Sequence, residues 1–253
     1  MGFHVIIPAR YESSRLPGKP LAMIGDKPMI EHVCLKAKES GALSITVATD
    51  HIDIKTCVEN AGYSSVMTRE DHVSGSDRIF EAATIIGLTD NDIIVNVQGD
   101  EPFIPSENIS QVAALINKHQ TNMATLCCPI VDEKEANDPN AVKVIFDKNN
   151  KAIYFSRSTI PFVRSNGMAS QSNFSINNHF RHIGIYAYKK SFLSQFINWP
   201  ESQLEKLERL EQLRVIDNGE CIYLDCLIDI PAAGIDTPED LKRANEYFNS
   251  LVS

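Results

Sequence analysis

Short apolar runs alternate with amphipathic segments along the first 120 or so residues of the chain. Runs rich in β-branched residues predict buried strands at residues 3–7, 44–48, 65–67 and 93–97. Between these runs, apolar residues at helical spacing predict helices that end near Gly41, Gly62, Gly87 and Lys118. Strands alternating with helices are typical of βαβ units, so we predict an α/β fold with a largely parallel sheet.

Polar residues indicate where three of the helices begin. Asp50, with Asp53 three positions later, predicts an N-cap of the capping-box type. Residues 74–77 (Ser-Gly-Ser-Asp) predict a second helix start. Residues 237–240 (Thr-Pro-Glu-Asp) predict the start of the last helix, with proline at its first position.

The pattern changes after residue 121. Strand-like runs at 123–130, 142–146, 152–156 and 182–188 follow one another with little helix between them, and 147–150 (Asp-Lys-Asn-Asn) predicts a hairpin turn. Leucines at helical spacing predict one amphipathic helix over Leu204–Ile216, and the polar residues of 164–178 predict a mobile surface loop. We therefore predict an α/β domain made of residues 1–121 and 218–253, with a smaller lobe made of residues 122–217.

Composition and charge limit the possible functions. The 253 residues carry 24 Lys+Arg and 33 Asp+Glu, a net charge of −9, which argues against non-specific binding of nucleic acid. Apolar runs fall short of the roughly 20 residues that span a bilayer, and Met1–His4 lacks the cationic start of a secretory signal. The six cysteines form no C-x-x-C pair and several lie in apolar runs, so we expect reduced thiols and a cytoplasmic protein.

A cationic loop follows the first predicted strand. Arg10, Arg15 and Lys19 lie on it, and Gly18 between two prolines predicts a rigid loop. In open α/β sheets, ligands bind just beyond the carboxyl ends of the strands. Three cations at that position favour a polyanion such as a nucleoside triphosphate, although a solvated basic loop has the same composition.

Two carboxylates could complete such a site. Asp100 and Asp236 each lie where a predicted strand gives way to a loop, so both could share the rim that carries Arg10 and Lys19. Mg²⁺ prefers carboxylate oxygens shared with substrate phosphates. Separately, Asp100 could be a turn residue and Asp236 a helix-start carboxylate. Beside the cationic loop of an acidic protein, the pair favours a magnesium site.

Several other chemistries are excluded by missing motifs. The first loop lacks G-x-G-x-x-G, and Gly18-Lys19 is followed by proline without the spacing of a P-loop. The chain also lacks G-x-S-x-G and a histidine pair at metal-binding spacing. His182 precedes an apolar strand and could face a ligand or simply lie at an edge. Arg157 and Arg164 could bind a carboxylate or be solvated.

Eight segments form an ordered set along nearly the whole chain. They are IIPARY (6–11), RLPGKPL (15–21), VNVQGDEP (95–102), NAVKV (140–144), YFSR (154–157) with the following IP (160–161), RHIGIY (181–186), LEQLR (210–214) and DTPED (236–240). Together these segments resemble the family of 3-deoxy-manno-octulosonate (Kdo) cytidylyltransferases, also called CMP-Kdo synthetases. Sialic-acid cytidylyltransferases share an Ile-Pro-Ala-Arg start, but the run RLPGKP is not expected of them.

The resemblance implies a three-layer, Rossmann-like nucleotidyltransferase sheet with a smaller mixed α+β lobe. It implies the reaction of CTP with Kdo to give CMP-Kdo and pyrophosphate for lipopolysaccharide biosynthesis, in a homodimer that assembles through the smaller lobe. Mg²⁺ would be held by Asp100 and Asp236, which with Arg15 and Lys19 would form the catalytic set. The nucleotide would be contacted by Pro8, Ala9, Arg10, Arg15, Lys19, Ser74 and Gly75, and the sugar by Gln98, Arg157, Arg164, His182, Tyr186 and Glu211.

The sequence departs mildly from the family pattern and leaves two rival functions. Ser76-Asp77 stands where Thr-Glu or Thr-Asp is expected, and Val163 replaces an acidic residue often found before Arg164. One rival is a cytidylyltransferase for an 8-amino Kdo analogue or another acidic sugar. The other is a non-catalytic nucleotide-binding regulator, against which the presence of both Asp100 and Asp236 argues.

Overall fold

The computed structural model describes residues 2–13, 15–164, 174–175, 178–228, 231–232 and 234–252. Most of the predicted surface loop 164–178 therefore lies outside the described residues. Within the described part, no helix combines the length and the apolar character needed to cross a membrane.

Strands and helices alternate through the first half of the chain as the sequence predicts. The strands are β1 (His4–Ala9), β2 (Met23–Ile24), β3 (Lys27–Pro28), β4 (Ser44–Thr49), β5 (Ser64–Met67), β6 (Ile93–Asn96), β7 (Met123–Pro129), β8 (Lys143–Phe146), β9 (Ala152–Ser156), β10 (Phe180–Lys189) and β11 (Ile222–Cys226). The α-helices are α1 (Met29–Glu39), α2 (Ile52–Asn60), α3 (Gly75–Ile85), α4 (Ser106–Lys118), α5 (Glu133–Asn137), α6 (Lys190–Asn198), α7 (Gln203–Glu208), α8 (Leu213–Asp217) and α9 (Pro238–Val252).

A single large sheet carries the site on one of its rims. Its main order is β11-β7-β10-β6-β1-β4-β5, and β8 joins β9 to β10. β6, β1, β4 and β5 are parallel to one another, whereas β10 is antiparallel to β6, β7 and β8. The carboxyl ends of β1, β4 and β6 therefore meet at one rim, and the amino end of β10 reaches the same rim. The α/β prediction is confirmed.

The core has two layers, one on each face of the sheet. Val5 and Ile7 of β1 pack into the layer beneath α1, α2 and α4, whereas Ile6 packs into the layer beneath α3, α6 and α8. Burial on both faces explains why β1 is a continuous apolar run and not an alternating one. The resulting helix–sheet–helix arrangement confirms the predicted three layers.

Two predictions of local structure are wrong, both because tertiary contacts override a local pattern. The helix predicted over Leu204–Ile216 is divided into α7 and α8, with Arg209 in the left-handed conformation at φ 55°. The Glu208 carboxylate accepts hydrogen bonds from Ser156 Oγ at 2.6 Å and Arg157 N at 2.9 Å. These contacts with β9 end α7 although the leucine spacing continues.

The N-cap of α2 is His51 and not the predicted Asp50, because His51 Nδ1 accepts from Asp53 N at 3.2 Å. Asp50 is used elsewhere: it accepts hydrogen bonds from Tyr11 N at 3.2 Å and Arg78 Nη2 at 2.7 Å. The helix starts predicted at 74–77 and 237–240 are confirmed, and in both the cap residue and the aspartate three positions later bond each other's backbone N–H.

Candidate active site

The cationic loop after β1 folds back on itself. Gly18 adopts φ 65°, a left-handed conformation that glycine tolerates, and Gly18 N donates to Tyr11 O at 3.2 Å. Lys19 then begins a short 3-10 turn, and the Tyr11 ring stacks on His51 at 3.8 Å between ring centroids. The loop is thus closed at its base and anchored to the end of β4.

Lys19 lies between the two carboxylates that the sequence singled out. Its Nζ is 2.6 Å from Asp100 Oδ2 and 3.1 Å from Asp236 Oδ1, and Arg15 Nη2 is 3.0 Å from Asp236 Oδ2. Only 16% of the Lys19 side chain is exposed. Burial disfavours the ammonium, but Asp100 and Asp236 outweigh that cost and raise the pKa of Lys19. Lys19 is therefore a fixed positive charge at neutral pH.

A close backbone approach brings Asp100 to this position. A Cβ on Gly99 would lie 2.9 Å from Pro8 O, so the chain leaving β6 can pass this near β1 only with glycine there. Ile235 N donates to Asp100 O at 2.9 Å, which places Asp236 beside Asp100 just before α9.

The donor set of this pair is suited to a hard cation. Both carboxylates already converge on one cationic group, the Lys19 ammonium. Among the described residues, no group of three or more His, Cys, Asp or Glu side chains could hold a metal ion. A metal here would draw on Asp100 and Asp236 and take its other ligands from substrate and water, which is the usual arrangement for Mg²⁺.

The predicted nucleotide residues line the start of the same rim. Ala9 is buried at the end of β1, and Arg10 after it is exposed. A Cβ on Gly75 would lie 4.0 Å from Pro8 Cγ, so the first turn of α3 adjoins the end of β1. Ser74 is the N-cap of α3. The amino terminus of a helix favours negatively charged groups.

Three of the predicted sugar residues lie together where β10 meets β6. The His182 and Tyr186 rings are 5.2 Å apart between centroids, and Gln98 Nε2 donates to Gly184 O at 3.3 Å. A cavity of about 490 Å³ adjoins them and is lined by residues that include His182, Gly184, Glu101 and Gly234. Its size is that of a small-molecule site.

The Glu211 carboxylate is close enough to Tyr186 to contribute, after burial and Tyr188, to raising the pKa of that phenol, and it lines a second cavity together with Ser74 and Asp77. Ser76 Oγ donates to Glu211 Oε2 at 2.9 Å, whereas Oε1 is buried without a hydrogen-bond partner among the described residues. Burial raises the pKa of Glu211, and hydrogen bonds from Ser76 and Ser74 oppose that rise. Glu211 lies in the segment between α7 and α8, so the break in the predicted helix positions it.

Arg157 and Arg164, the other two predicted sugar residues that carry a positive charge, differ in their surroundings. The Arg157 guanidinium donates to three backbone carbonyls, those of Glu208 at 2.7 Å, Pro139 at 2.9 Å and Arg209 at 3.4 Å. It therefore holds the turn after α7. Arg164 is exposed at the end of a described segment.

Sequence reasoning missed two buried polar residues near the site. Arg78 is fully buried and donates to Thr68 Oγ1 at 2.6 Å as well as to Asp50. Thr125 is fully buried in the centre of β7. Thr125 is a polar residue inside the apolar run of residues 123–130, which is a signal that the sequence does contain, whereas Arg78 follows the polar helix start at 74–77 and carries no such signal.

Glu101 was also missed, although it directly follows a predicted metal ligand. It is surrounded by protein while part of its surface stays accessible from the cavity. Burial, reinforced by Asp100, raises the pKa of Glu101 to about 8.

Comparison with known proteins shows which family has this sequence and fold. Residues 4–222 match the family described as Cytidylyltransferase. The 3-deoxy-manno-octulosonate cytidylyltransferase of Pectobacterium carotovorum subsp. carotovorum (strain PC1) is 52% identical over 249 residues, which cover 98% of this chain and 99% of that protein. The enzyme of the same name from Pseudoalteromonas translucida (strain TAC 125) is 50% identical over 250 residues, covering 99% of both chains. A solved structure of CMP:2-keto-3-deoxy-manno-octonic acid synthetase complexed with CTP is 36% identical, with a TM-score of 0.89 over 99% of this chain and 100% of that chain.

Proposed function

Because the chain belongs to the family of 3-deoxy-manno-octulosonate cytidylyltransferases, we propose that it transfers CMP from CTP to Kdo and releases pyrophosphate. The observation that carries this proposal is the convergence of Lys19, Arg15, Asp100 and Asp236 at one rim of the sheet. That convergence provides the charges that a nucleoside triphosphate requires. Relatives that share about half of their residues with this chain over nearly its full length bear the corresponding name.

The chemistry is an in-line displacement at phosphorus. The anomeric hydroxyl oxygen of Kdo forms a bond to the α-phosphorus of CTP, the bond from that phosphorus to pyrophosphate breaks, and the hydroxyl proton leaves to solvent. Catalysis of such a transfer consists mainly of positioning and charge neutralisation. Lys19 is held rigidly by two carboxylates, whereas Arg10 and Arg15 are exposed, with Arg15 paired to Asp236 alone of these two carboxylates.

We propose Mg²⁺ as the cofactor, held by Asp100 and Asp236. The support is the donor set: two carboxylates whose oxygens converge on one cationic position. When bound, the ion would neutralise phosphate charge and lower the pKa of a coordinated hydroxyl. This contribution matters in a protein of net charge −9 that binds a substrate with about four negative charges.

For the sugar, we propose a site built from Gln98, His182, Tyr186 and Glu211. Its support is the contact between the His182 and Tyr186 rings, the hydrogen bond from Gln98 to β10, the strand that carries both rings, and the cavity that His182 lines. Arg157 stays a prediction, because it would have to exchange its carbonyl partners before it could bind the Kdo carboxylate. Arg164 also stays a prediction. We favour Kdo over an 8-amino analogue, since the relatives are named for Kdo.

We further propose a cytoplasmic homodimer that supplies CMP-Kdo for lipopolysaccharide biosynthesis. The six cysteines are free thiols, as is typical of a reducing compartment. Apolar side chains of the smaller lobe are exposed, among them Phe162 at 72% and Ile153 at 53%. A second copy of the chain would cover such a surface. Light scattering of the wild type and of Phe162→Glu tests the dimer, and a monomeric wild type contradicts it.

The decisive experiment measures pyrophosphate release with CTP, Mg²⁺ and Kdo, each omitted in turn. The proposal requires release only when all three are present, and a competing 8-amino sugar tests the acceptor. Tight CTP binding without any pyrophosphate release would instead support a nucleotide-binding regulator. Asp100→Ala is the matched control: it should abolish turnover and leave CTP binding largely intact.

A further inference from the structure

Thr125 lies beneath the sugar residues, in the fully buried centre of β7. Its Oγ1 is 2.8 Å from Ile185 O, 3.1 Å from Ile183 O and 2.9 Å from His182 Nε2. The register between β10 and β7 shifts between Ile183 and Tyr186, so these carbonyls face the threonine at a bulge. Bulges next to active sites commonly re-aim side chains.

The hydrogen-bonding capacity of the Thr125 hydroxyl determines which ring nitrogen of His182 carries the proton. A hydroxyl has one proton to donate, and carbonyl oxygens can only accept. Two carbonyls compete for that proton, and the nearer is Ile185 O. Once the hydroxyl proton is donated to a carbonyl, the contact with His182 is a hydrogen bond only if His182 Nε2 carries a hydrogen and donates it to Thr125 Oγ1. His182 is then the Nε2–H tautomer, and its Nδ1 is an unprotonated acceptor.

Two further observations agree with this assignment. Within the described part of the chain, His182 Nδ1 makes no hydrogen bond, and the residue lines the cavity beside Gly184 and Glu101. Burial lowers the pKa of His182 to about 3, so the ring is neutral at physiological pH. An unprotonated Nδ1 on a neutral ring can accept a hydrogen bond from a hydroxyl but cannot donate one.

We propose that Thr125 is a positioning residue of the sugar site, which fixes His182 as the Nε2–H tautomer so that Nδ1 accepts a hydrogen bond from a sugar hydroxyl. The role of His182 toward the sugar rests on the proposed function, whereas the tautomer rests on the contacts of Thr125 alone. The hydrogen bonds of Gln98 likewise leave an acceptor available for the sugar. Its Nε2 donates to Gly184 O at the bulge and to Asn96 Oδ1 at 3.4 Å, which leaves Oε1 as a second acceptor.

The first test is the tautomer itself, measured by long-range ¹H–¹⁵N NMR on ¹⁵N-histidine-labelled wild type, with His182→Asn identifying the signal. We expect a protonated Nε2 and an unprotonated Nδ1 without any substrate present. A protonated Nδ1 would overturn the proposal. This measurement does not depend on turnover, so it stands even if the proposed reaction is refuted.

The second test compares Thr125→Val with Thr125→Ser, which keeps the hydroxyl. We expect the valine variant to raise the KM for Kdo by about tenfold, roughly the loss of one hydrogen bond. The serine variant should stay near wild type, and the KM for CTP should be unchanged in both. The positioning role would be contradicted if the valine and serine variants had the same KM for Kdo. It would also be contradicted if the valine variant raised the KM for CTP as much as the KM for Kdo.

Substitutions of His182 provide a test if Thr125→Val fails to fold. Asparagine can place an oxygen near the position of Nδ1, whereas glutamine places its amide near Nε2. We expect His182→Asn to keep more affinity for Kdo than His182→Gln, and the reverse order would overturn the proposal.

Discussion

Replacing Lys19 by methionine tests whether this residue acts on the transition state or only binds substrate. The substitution keeps the length of the side chain and removes one positive charge that is 2.6 Å from Asp100 and 3.1 Å from Asp236. Because Lys19 is mostly buried and held by both carboxylates, its charge is preorganised for the phosphates. Loss of one preorganised donor costs about 100- to 1000-fold in kcat, or roughly 2.7–4 kcal/mol.

The same substitution should raise the affinity for Mg²⁺, although it lowers kcat. Lys19 competes with any second cation for the oxygens of Asp100 and Asp236, so the methionine variant should bind Mg²⁺ more tightly while turning over more slowly. Steady-state kinetics with saturating Kdo and isothermal titration of Mg²⁺ measure the two effects. Lys36→Met is the control, since among the described residues Lys36 pairs only with the exposed Glu39, at 2.9 Å.

Two results would refute this reasoning. A loss confined to KM for CTP would make Lys19 a simple binding residue. Weaker Mg²⁺ binding in the variant would show that Lys19 and the metal do not share the two carboxylates.

Three further predictions concern the groups that support the site. Arg78→Met should lower the free energy of unfolding, measured by urea unfolding, by about 3–5 kcal/mol. Arg78 is fully buried, and its removal leaves the Asp50 carboxylate without its ion-pair partner. Adding Asp50→Asn to Arg78→Met should therefore recover part of the loss. Additive losses in that double variant would contradict the ion-pair account. Gly99→Ala should reduce kcat/KM with little change in helix content, because its Cβ would lie 2.9 Å from Pro8 O and displace the chain that carries the metal-binding carboxylate; wild-type kinetics would contradict it. Glu211→Gln should stabilise the fold at neutral pH but not in acid. Burial raises the pKa of Glu211, so the wild type loses stability as pH rises above the ordinary carboxyl value of about 4.3, and below that value both proteins carry a neutral group. Thermal unfolding from pH 4 to 8 checks this, and a stability difference that is independent of pH would be the contrary outcome.

Much of the rim could be predicted because its signals are local. The apolar run of β1 fixes where the chain turns polar, and parallel strands bring their carboxyl ends to one edge. Arg15, Lys19 and Asp100 could therefore be placed together from sequence. Capping boxes at Ser74 and Thr237 were equally local, because the cap and its partner are three residues apart.

The remaining features depend on contacts between distant segments. Leucine spacing predicts a continuous helix through Arg209. The hydrogen bonds from Ser156 and Arg157 to Glu208, however, join residues 52 and 51 positions apart, and the sequence around residue 209 gives no sign of them. The Arg157 guanidinium binds the carbonyls of Glu208, Pro139 and Arg209, which are also distant in sequence, so these partners could not be foreseen either.

The partner of Asp50 could not be predicted for the same reason. Its residue type and position suit a helix cap, and only the folded chain brings the buried Arg78 and the Tyr11 amide within reach.

The contact between Lys19 and Asp236 joins residues that are 217 positions apart. Lys19 belongs to the cationic loop near the amino terminus, whereas Asp236 immediately precedes the helix start of α9 near the carboxyl terminus. The cationic loop therefore gains its second carboxylate only when the segment before α9 has docked against it. Removal of that C-terminal segment would leave the fold of β1 and its loop encoded in full but the charge arrangement around Lys19 incomplete.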